Sequence, residues 1–431
     1  MVAVARHLEA RVVRALAAAR VINIFGPRQA GKTTLVRDRI KTSSYVTLDA
    51  DDLRQALAAD AYGQLRLLAR GAEEQKLPLA IDEVQRLPSM TLALKQIVDT
   101  NDRKGQFLLT GSSNVFTMAA ALDSLAGRVM SFTLRPLSAA EIHGAGPVTI
   151  LDAVARAPED CRSALPLPAS ASREEMIDLM VRGGFPEIRT LAPQDREDRY
   201  RSYMDSVIER DVAVVEPIRK PDGLRRLTHQ IAYRTAGEAA VEELGRTAGG
   251  LRKETVNTYL TILEKLELIR RLGAWASGMT RREIKRPKLH LLDTGLATVL
   301  RGEDASSFGA LANPTALGAV LETFVYTELE KSLPLQSSRW SLYHYRDDNG
   351  HEVDILAEAP GNILALFEIK AAAMVSDRDF KHLDWFFSSA GPGASHRGVA
   401  FVVYLGDRLL SFGPRRIALP LSMFWSFPPT T

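Results

Sequence analysis

Eight residues near the start of the chain, Gly26-Pro-Arg-Gln-Ala-Gly31-Lys32-Thr33, constrain it more than any other stretch. Two glycines flank four residues and are followed by Lys and Thr, which is the pattern of a phosphate-binding loop. Gly26 and Gly31 permit backbone conformations that turn successive N–H groups toward phosphate oxygens. An apolar strand, Val21-Ile-Asn-Ile-Phe25, precedes the loop, and a helical run starts near Lys32, adding the positive end of a helix dipole. Lys32 can reach the β- and γ-phosphates, and the Thr33 hydroxyl can ligate Mg²⁺. Pro27, Arg28, Gln29, Ala30 and Thr34 complete the nucleotide-binding stretch.

Downstream, Leu77-Pro-Leu-Ala-Ile81-Asp82-Glu83 is an apolar strand ending in two carboxylates. Asp82 would hold the Mg²⁺ hydration shell, and Glu83 would orient or deprotonate the attacking water. The alternative is a pair of solvated charges at a strand end. A third strand runs from Phe107-Leu-Leu-Thr110 into Gly111-Ser112-Ser113-Asn114, where Ser112 or Asn114 could sense the γ-phosphate; a plain turn is the competing reading. Arg128 is a candidate finger for transition-state charge, in cis or in trans, or else a surface arginine.

The bulk properties fit this beginning. A length of 431 residues implies two to four domains. An apolar fraction of 46% and a charged fraction of 25% are those of a globular protein. The net charge of +3 excludes a polycation, so any nucleic-acid surface must be local. The single cysteine, Cys161, excludes an internal disulfide framework and a zinc site of paired thiolates. Charges at Arg6, Glu9 and Arg11 interrupt any signal-peptide core, and no run nears the roughly 18 apolar residues of a membrane helix. A cytoplasmic location without a membrane partner is expected.

Strand-like runs at 21–25, 45–48, 78–81 and 106–110 alternate with helical sequence, which predicts a parallel sheet covered on both faces, an α/β ATPase domain over 1–144. Residues 145–172 are rich in Ala, Pro and Ser and are expected to form a linker or surface insertion. Residues 173–234 read as a helical lid region, broken at Gly183-Gly184-Phe185-Pro186. Residues 235–284 look like a winged helix-turn-helix, in which Arg252, Lys253, Asn257 and Thr258 could face DNA. Arg281, Arg282, Lys285, Arg286 and Lys288 form a basic run that could contact a phosphate backbone or simply be solvated.

Strand-like runs return over 285–431. Val353-Asp354-Ile355 carries one carboxylate, and Leu366-Phe367-Glu368-Ile369-Lys370 puts Glu368 and Lys370 on one face. If these strands form a hairpin, Asp354 joins that face. Two carboxylates could then bind Mg²⁺ while Lys370 positions water for attack on a phosphodiester, with Glu322 as a further carboxylate. His351 and Glu352 are expected to be peripheral. The arrangement is similar to the core of restriction-endonuclease-like nucleases; an inactive binding fold or a salt-bridged sheet face are the other readings.

Taken with Ile-Asp-Glu-Val-Gln, Leu-Thr-Gly-Ser-Ser, Leu125-Ala-Gly-Arg128, Gly183-Gly-Phe-Pro-Glu187, Glu209-Arg-Asp211 and Lys288-Leu-His-Leu-Leu-Asp293-Thr-Gly-Leu296, the loop resembles the AAA-type ATPases of bacteria and archaea that carry a C-terminal domain of unknown function. The resemblance covers nearly the whole chain and implies ATP rather than GTP, with Mg²⁺. Two functions follow as expectations. In one, ATP hydrolysis licenses a C-terminal nuclease acting on DNA, with no membrane partner and with a homo-oligomer as a candidate assembly. In the other, the nucleotide works a switch whose C-terminal half binds protein or nucleic acid without cutting.

Overall fold

In the computed structural model, residues 4–112, 127–212, 221–276, 286–309 and 314–429 are described. The first region is a five-stranded sheet, β1 (Val21–Phe25), β2 (Ser44–Thr47), β3 (Leu79–Asp82), β4 (Phe107–Gly111) and β5 (Val129–Thr133), in the order β2-β3-β4-β1-β5. All its pairings are parallel, so every strand delivers its C-terminal end to one edge. The central strands are buried on both faces, which is why they read as continuous apolar runs. Helix α1 (Leu8–Leu16) packs through Leu8, Val12 and Ala15, while α2 (Lys32–Thr34) continues into a π-turn over Leu35–Arg39. Helices α3 (Asp51–Ala59), α4 (Ala61–Gln75) and α5 (Met90–Thr100) cover the sheet.

The stretch expected to be a linker is not one. It carries α6 (Ala139–Ile142) at its approach and α7 (Ile150–Arg156) within it, and Val148, Ile150, Leu151, Val154, Cys161 and Leu165 are buried in the core of the C-terminal sheet. Its composition misled because a seven-residue helix is too short to display a periodicity. Helix α8 (Arg173–Arg182), started by a Ser172–Glu175 capping box, packs into the same core through Met176 and Met180.

The middle region holds α9 (Pro193–Ser206), α10 (Pro221–Tyr233), α11 (Val241–Thr247) and α12 (Lys253–Lys265) with an antiparallel sheet of β6 (Gly237–Glu238), β7 (Ile269–Leu272) and β8 (Lys288–Leu291), in the order β6-β8-β7. Strand β8 therefore completes the middle region, not the C-terminal one as its sequence position suggested. Helix α13 (Thr294–Arg301) follows and shares the middle core through Leu296, Ala297 and Leu300.

The C-terminal region begins with α14 (Pro314–Ser332), which lies on a mixed six-stranded sheet. Its strands are β9 (Ser341–Arg346), β10 (Glu352–Ala359), β11 (Ile363–Lys370), β12 (Arg397–Tyr404), β13 (Leu410–Ser411) and β14 (Arg416–Pro420), in the order β13-β14-β12-β11-β10-β9, with α15 (Lys381–Phe387) on one face. Among the described residues no helix is long and apolar enough to cross a membrane.

Candidate functional site

The phosphate-binding loop leaves β1 between β4 and β5, at the C-terminal edge where the ends of β3 and β4 also arrive. Gly26 has φ 151°, and a Cβ there would lie 2.1 Å from the carbonyl oxygen of Leu134, so only glycine fits. Gly31 is left-handed, φ 95°, and turns the chain into α2. Arg6 braces the loop from behind: its guanidinium donates to Ala30 O at 2.7 Å and Arg135 O at 2.6 Å and pairs with Glu141 at 3.1 Å.

Lys32 is buried, and its ammonium donates to Gly26 O at 2.9 Å and Pro27 O at 2.8 Å. Burial pushes it down to about 8, against the opposing pull of Glu83 and Asp82. Thr33 donates to Asp82 Oδ2 at 2.8 Å, so the two expected Mg²⁺ ligands lie side by side across two elements. Tyr45 donates to the same carboxylate oxygen at 2.5 Å, Thr110 donates to Oδ1, and the Glu83 N–H does so at 2.9 Å. Asp82 is thus fixed in place by four donors. Thr33 and Asp82 form an oxygen donor set suited to a hard divalent ion, and Lys32 with the loop amides suits a polyphosphate.

Glu83 follows in a left-handed conformation, φ 59°, that swings its side chain toward the loop. Its carboxyl is raised above the usual carboxylate range, chiefly by burial and against the pull of Lys32, and it accepts from the Gln85 amide. Gln85 Oε1 in turn accepts from Ser112 N–H at 3.3 Å, which links the ends of β3 and β4. A cavity of about 800 Å³ opens over this group, with Arg28, Lys32, Thr33, Glu83, Arg189 and Arg210 among its walls. Its far wall is the helical middle region, which reaches the loop directly: Arg28 Nε is 2.6 Å from the buried Asp211 carboxylate.

One expected member does not join. Arg128 precedes β5, whose register sets Val129 beside Val21, so it stands at the opposite end of β1 from the loop, about 13 Å of strand away. There it pairs with Asp99, and it is not in its own chain's phosphate pocket. Asn114 lies outside the described residues, as do Arg281, Arg282 and Lys285.

The C-terminal constellation does assemble. Strands β10 and β11 are antiparallel with Ile355 beside Phe367, one step from Asp354 and Glu368, and Lys370 Nζ is 2.7 Å from Glu368 Oε1. Glu322 of α14 joins them, and so does Glu352, two residues before Asp354 and therefore on the same face rather than peripheral. The unexpected member is Lys288. Expected in a basic loop against DNA, it is buried with its ammonium 2.8 Å from Glu322, 3.0 Å from Glu352 and 3.4 Å from Asp354. Asp354 Oδ2 accepts from Ile369 N–H at 2.9 Å. Among the described residues no group of three or more His, Cys, Asp or Glu is arranged to hold a metal ion. A divalent ion does not fit this cluster as it stands.

Residues 18–143 match a family described as an AAA domain, and residues 173–307 and 317–424 match two described as domains of unknown function, DUF8612 and DUF4143. Over residues 18–143 the chain is thus similar to AAA domains, a likeness that implies nucleotide binding, typically with Mg²⁺. Two chains described as uncharacterized proteins, from Mycobacterium tuberculosis and Mycobacterium bovis, are each 29% identical over 373 residues, covering 86% of this chain and 75% of the relative. Among solved structures, the replication initiator DnaA bound to AMPPCP and single-stranded DNA aligns at 16% identity and a TM-score of 0.26, over 59% of this chain and 86% of that one. A protein of Vibrio cholerae, VC1899, aligns at 14% identity and a TM-score of 0.18, over 91% and 90%. At these TM-scores neither likeness bears on the fold or function of the chain.

Proposed function

We propose that the chain binds ATP with Mg²⁺ at residues 26–34, hydrolyses it to ADP and phosphate, and uses nucleotide state to control both the engagement of DNA by the middle region and the C-terminal module joined to it. The observation that carries this reading is the meeting of Thr33 and Asp82 at 2.8 Å, with Lys32 and Glu83 on the walls of the same cavity. Loop amides and the Lys32 ammonium bind and orient the phosphates. Thr33 and Asp82 would hold Mg²⁺, which when bound neutralises charge on the phosphate oxygens. Glu83 accepts a proton as a water oxygen bonds to the γ-phosphorus and the bond to the bridging oxygen breaks, leaving ADP and inorganic phosphate. The Arg28–Asp211 pair offers the helical region a direct sense of what the loop holds.

ATP turnover and binding by full-length variants test this. Lys32→Ala should weaken binding roughly tenfold to a hundredfold, the range of a charge-assisted hydrogen bond. Glu83→Gln should keep binding and lose about 10²–10⁴ in turnover, the usual contribution of a general base. Parental turnover in Glu83→Gln would remove Glu83 from the role.

DNA engagement is assigned to the middle region, where α11, α12 and the three-stranded sheet fit a winged helix-turn-helix. Arg252 and Lys253 are exposed at the start of α12, with Asn257 and Thr258 half-buried beyond them. Cleavage by Asp354, Glu368, Lys370 and Glu322 is the second reading, favoured by their shared face. The commitment of those carboxylates to Lys288, Lys370 and Ile369 N–H favours a binding module instead. DNA cutting in Mg²⁺ or Mn²⁺ that Asp354→Ala abolishes would reverse that preference.

A further inference from the structure

Lys288 opens β8, a strand of the middle sheet, yet its side chain ends in the C-terminal region. The strand is anchored there through its partner β7: just past β7 the chain meets β9 at an isolated parallel bridge, Ala274 beside His344, with His344 N–H donating to Gly273 O at 3.0 Å and Trp275 N–H to His344 O at 2.6 Å. His344 Nε2 also meets Arg286 O at 3.0 Å, just before Lys288. The ammonium is delivered by this frame rather than by a free loop. Its three N–H bonds face three carboxylates from two elements, Glu322 on α14 and Glu352 and Asp354 on β10.

The lysine is 3% exposed. Burial alone would make it give up its proton, but Glu322, Asp354 and Glu352 more than offset this and hold it charged. One ammonium does not balance three carboxylates. Glu322 accordingly sits well above the usual carboxylate range, chiefly through burial and then through Asp354. A compact cation at the meeting point of convergent carboxylates occupies the place that a divalent ion would take in such a set.

We propose that Lys288 is a built-in counter-cation that replaces a divalent ion in the C-terminal acidic cluster and locks the middle sheet onto the C-terminal sheet. A metal ion enters only when this ammonium is removed. The inference deepens the reading of the C-terminal module as a non-cutting element and rests on it. Its test reads ion binding and not cleavage, so the two fail separately.

The measurement is Mn²⁺ binding by electron paramagnetic resonance on the full chain without nucleotide, in an Asp82→Asn background that silences the loop site. In that background alone, adding Asp354→Asn should leave Mn²⁺ binding unchanged, because the cluster holds none. Lys288→Gln should gain one Mn²⁺ per chain, and Asp354→Asn should remove it again. Lys288→Gln should also melt at a lower temperature than its parent and recover with Mn²⁺, whereas the parent does not respond. If Lys288→Gln does not fold, refolding in Mn²⁺ but not in NaCl of equal ionic strength is the expected result. The proposal is overturned if the parent binds an ion that Asp354→Asn abolishes, if folded Lys288→Gln gains none, or if Mn²⁺ fails to rescue an unfolded one.

Discussion

Lys32 shows how one buried charge sets a pH dependence. Without nucleotide its ammonium is satisfied by two carbonyls, and burial pushes it down to about 8. A triphosphate supplies negative charge and raises that value, so the bound lysine stays protonated. Below pH 8 the group is charged in both states and binding is insensitive to pH. Above pH 8 the free protein has lost the proton that the complex needs, so affinity falls as pH rises, approaching about tenfold per pH unit. Titration calorimetry with a non-hydrolysable ATP analogue, in two buffers of different ionisation enthalpy, should show almost no proton uptake at pH 7 and about one proton per nucleotide at pH 9. Constant affinity across that range would mean that Lys32 is not the titrating group. The same residue marks what sequence could show: Lys32 and Thr33 were legible from the local spacing of the loop, and Asp82 from its place at the end of its own apolar strand. Tyr45 and Thr110, which donate to Asp82 from β2 and β4, were not, since only the strand order brings them together.

At the scale of elements, the Gly-Gly and Asp-Thr-Gly motifs explain each other. Asp293 caps α13 by accepting from Leu296 N–H at 2.9 Å, and its other oxygen accepts from Gly184 N–H at 2.7 Å. Tyr200 donates to Asp293 at 3.0 Å, closing a buried knot of α8, α9 and α13. A Cβ on Gly295 would lie 2.6 Å from the Tyr200 hydroxyl and 2.8 Å from Gly183 N. Gly295→Ala should therefore destabilise by about 1–3 kcal/mol, the range of overpacking in a closed core. Gly318 in α14 meets nothing within 4 Å, and Gly318→Ala should be neutral or stabilise by about 0.5–1 kcal/mol through helix propensity. Urea unfolding of the two variants checks both signs. The elements themselves were largely legible, with strands at 21–25, 78–81 and 106–110 within two residues of their expected bounds. Their assignment to regions was not. Lys288 looked like a loop cation because its partners lie 34 and 66 residues away. The 145–172 stretch looked like a linker because its buried positions make sense only against the distant C-terminal sheet.

For the whole molecule, the decisive feature is that the regions are not beads in a row. After the N-terminal sheet the chain first builds part of the C-terminal core with α6, α7 and α8, then the middle region, and only then returns to the C-terminal sheet. Where the three meet, Arg135 of the N-terminal region is 2.5 Å from Glu267 of the middle region and 2.8 Å from Glu330 of α14. Arg270 bridges the same two carboxylates at 2.9 and 3.0 Å. Glu267, Glu330 and Arg135 are each no more than 12% exposed, so this is a buried network in which each charge depends on the others. Such a network contributes little net stability when whole, because desolvation offsets attraction, but removing one partner leaves buried charge uncompensated at a cost of about 3–5 kcal/mol. Arg135→Met should therefore lower stability by that order and do so at the junction. Differential scanning calorimetry should show the parent unfolding with the N-terminal region coupled to the rest, and Arg135→Met with a separate, earlier transition for one region. Replacing Arg135, Glu267, Arg270 and Glu330 together by Met and Leu should recover much of the loss, since no charge is then stranded. If Arg135→Met and the fourfold variant melt alike and as cooperatively as the parent, the junction does not join the regions, and nucleotide state must reach the C-terminal sheet through the Arg28–Asp211 contact and the middle region alone.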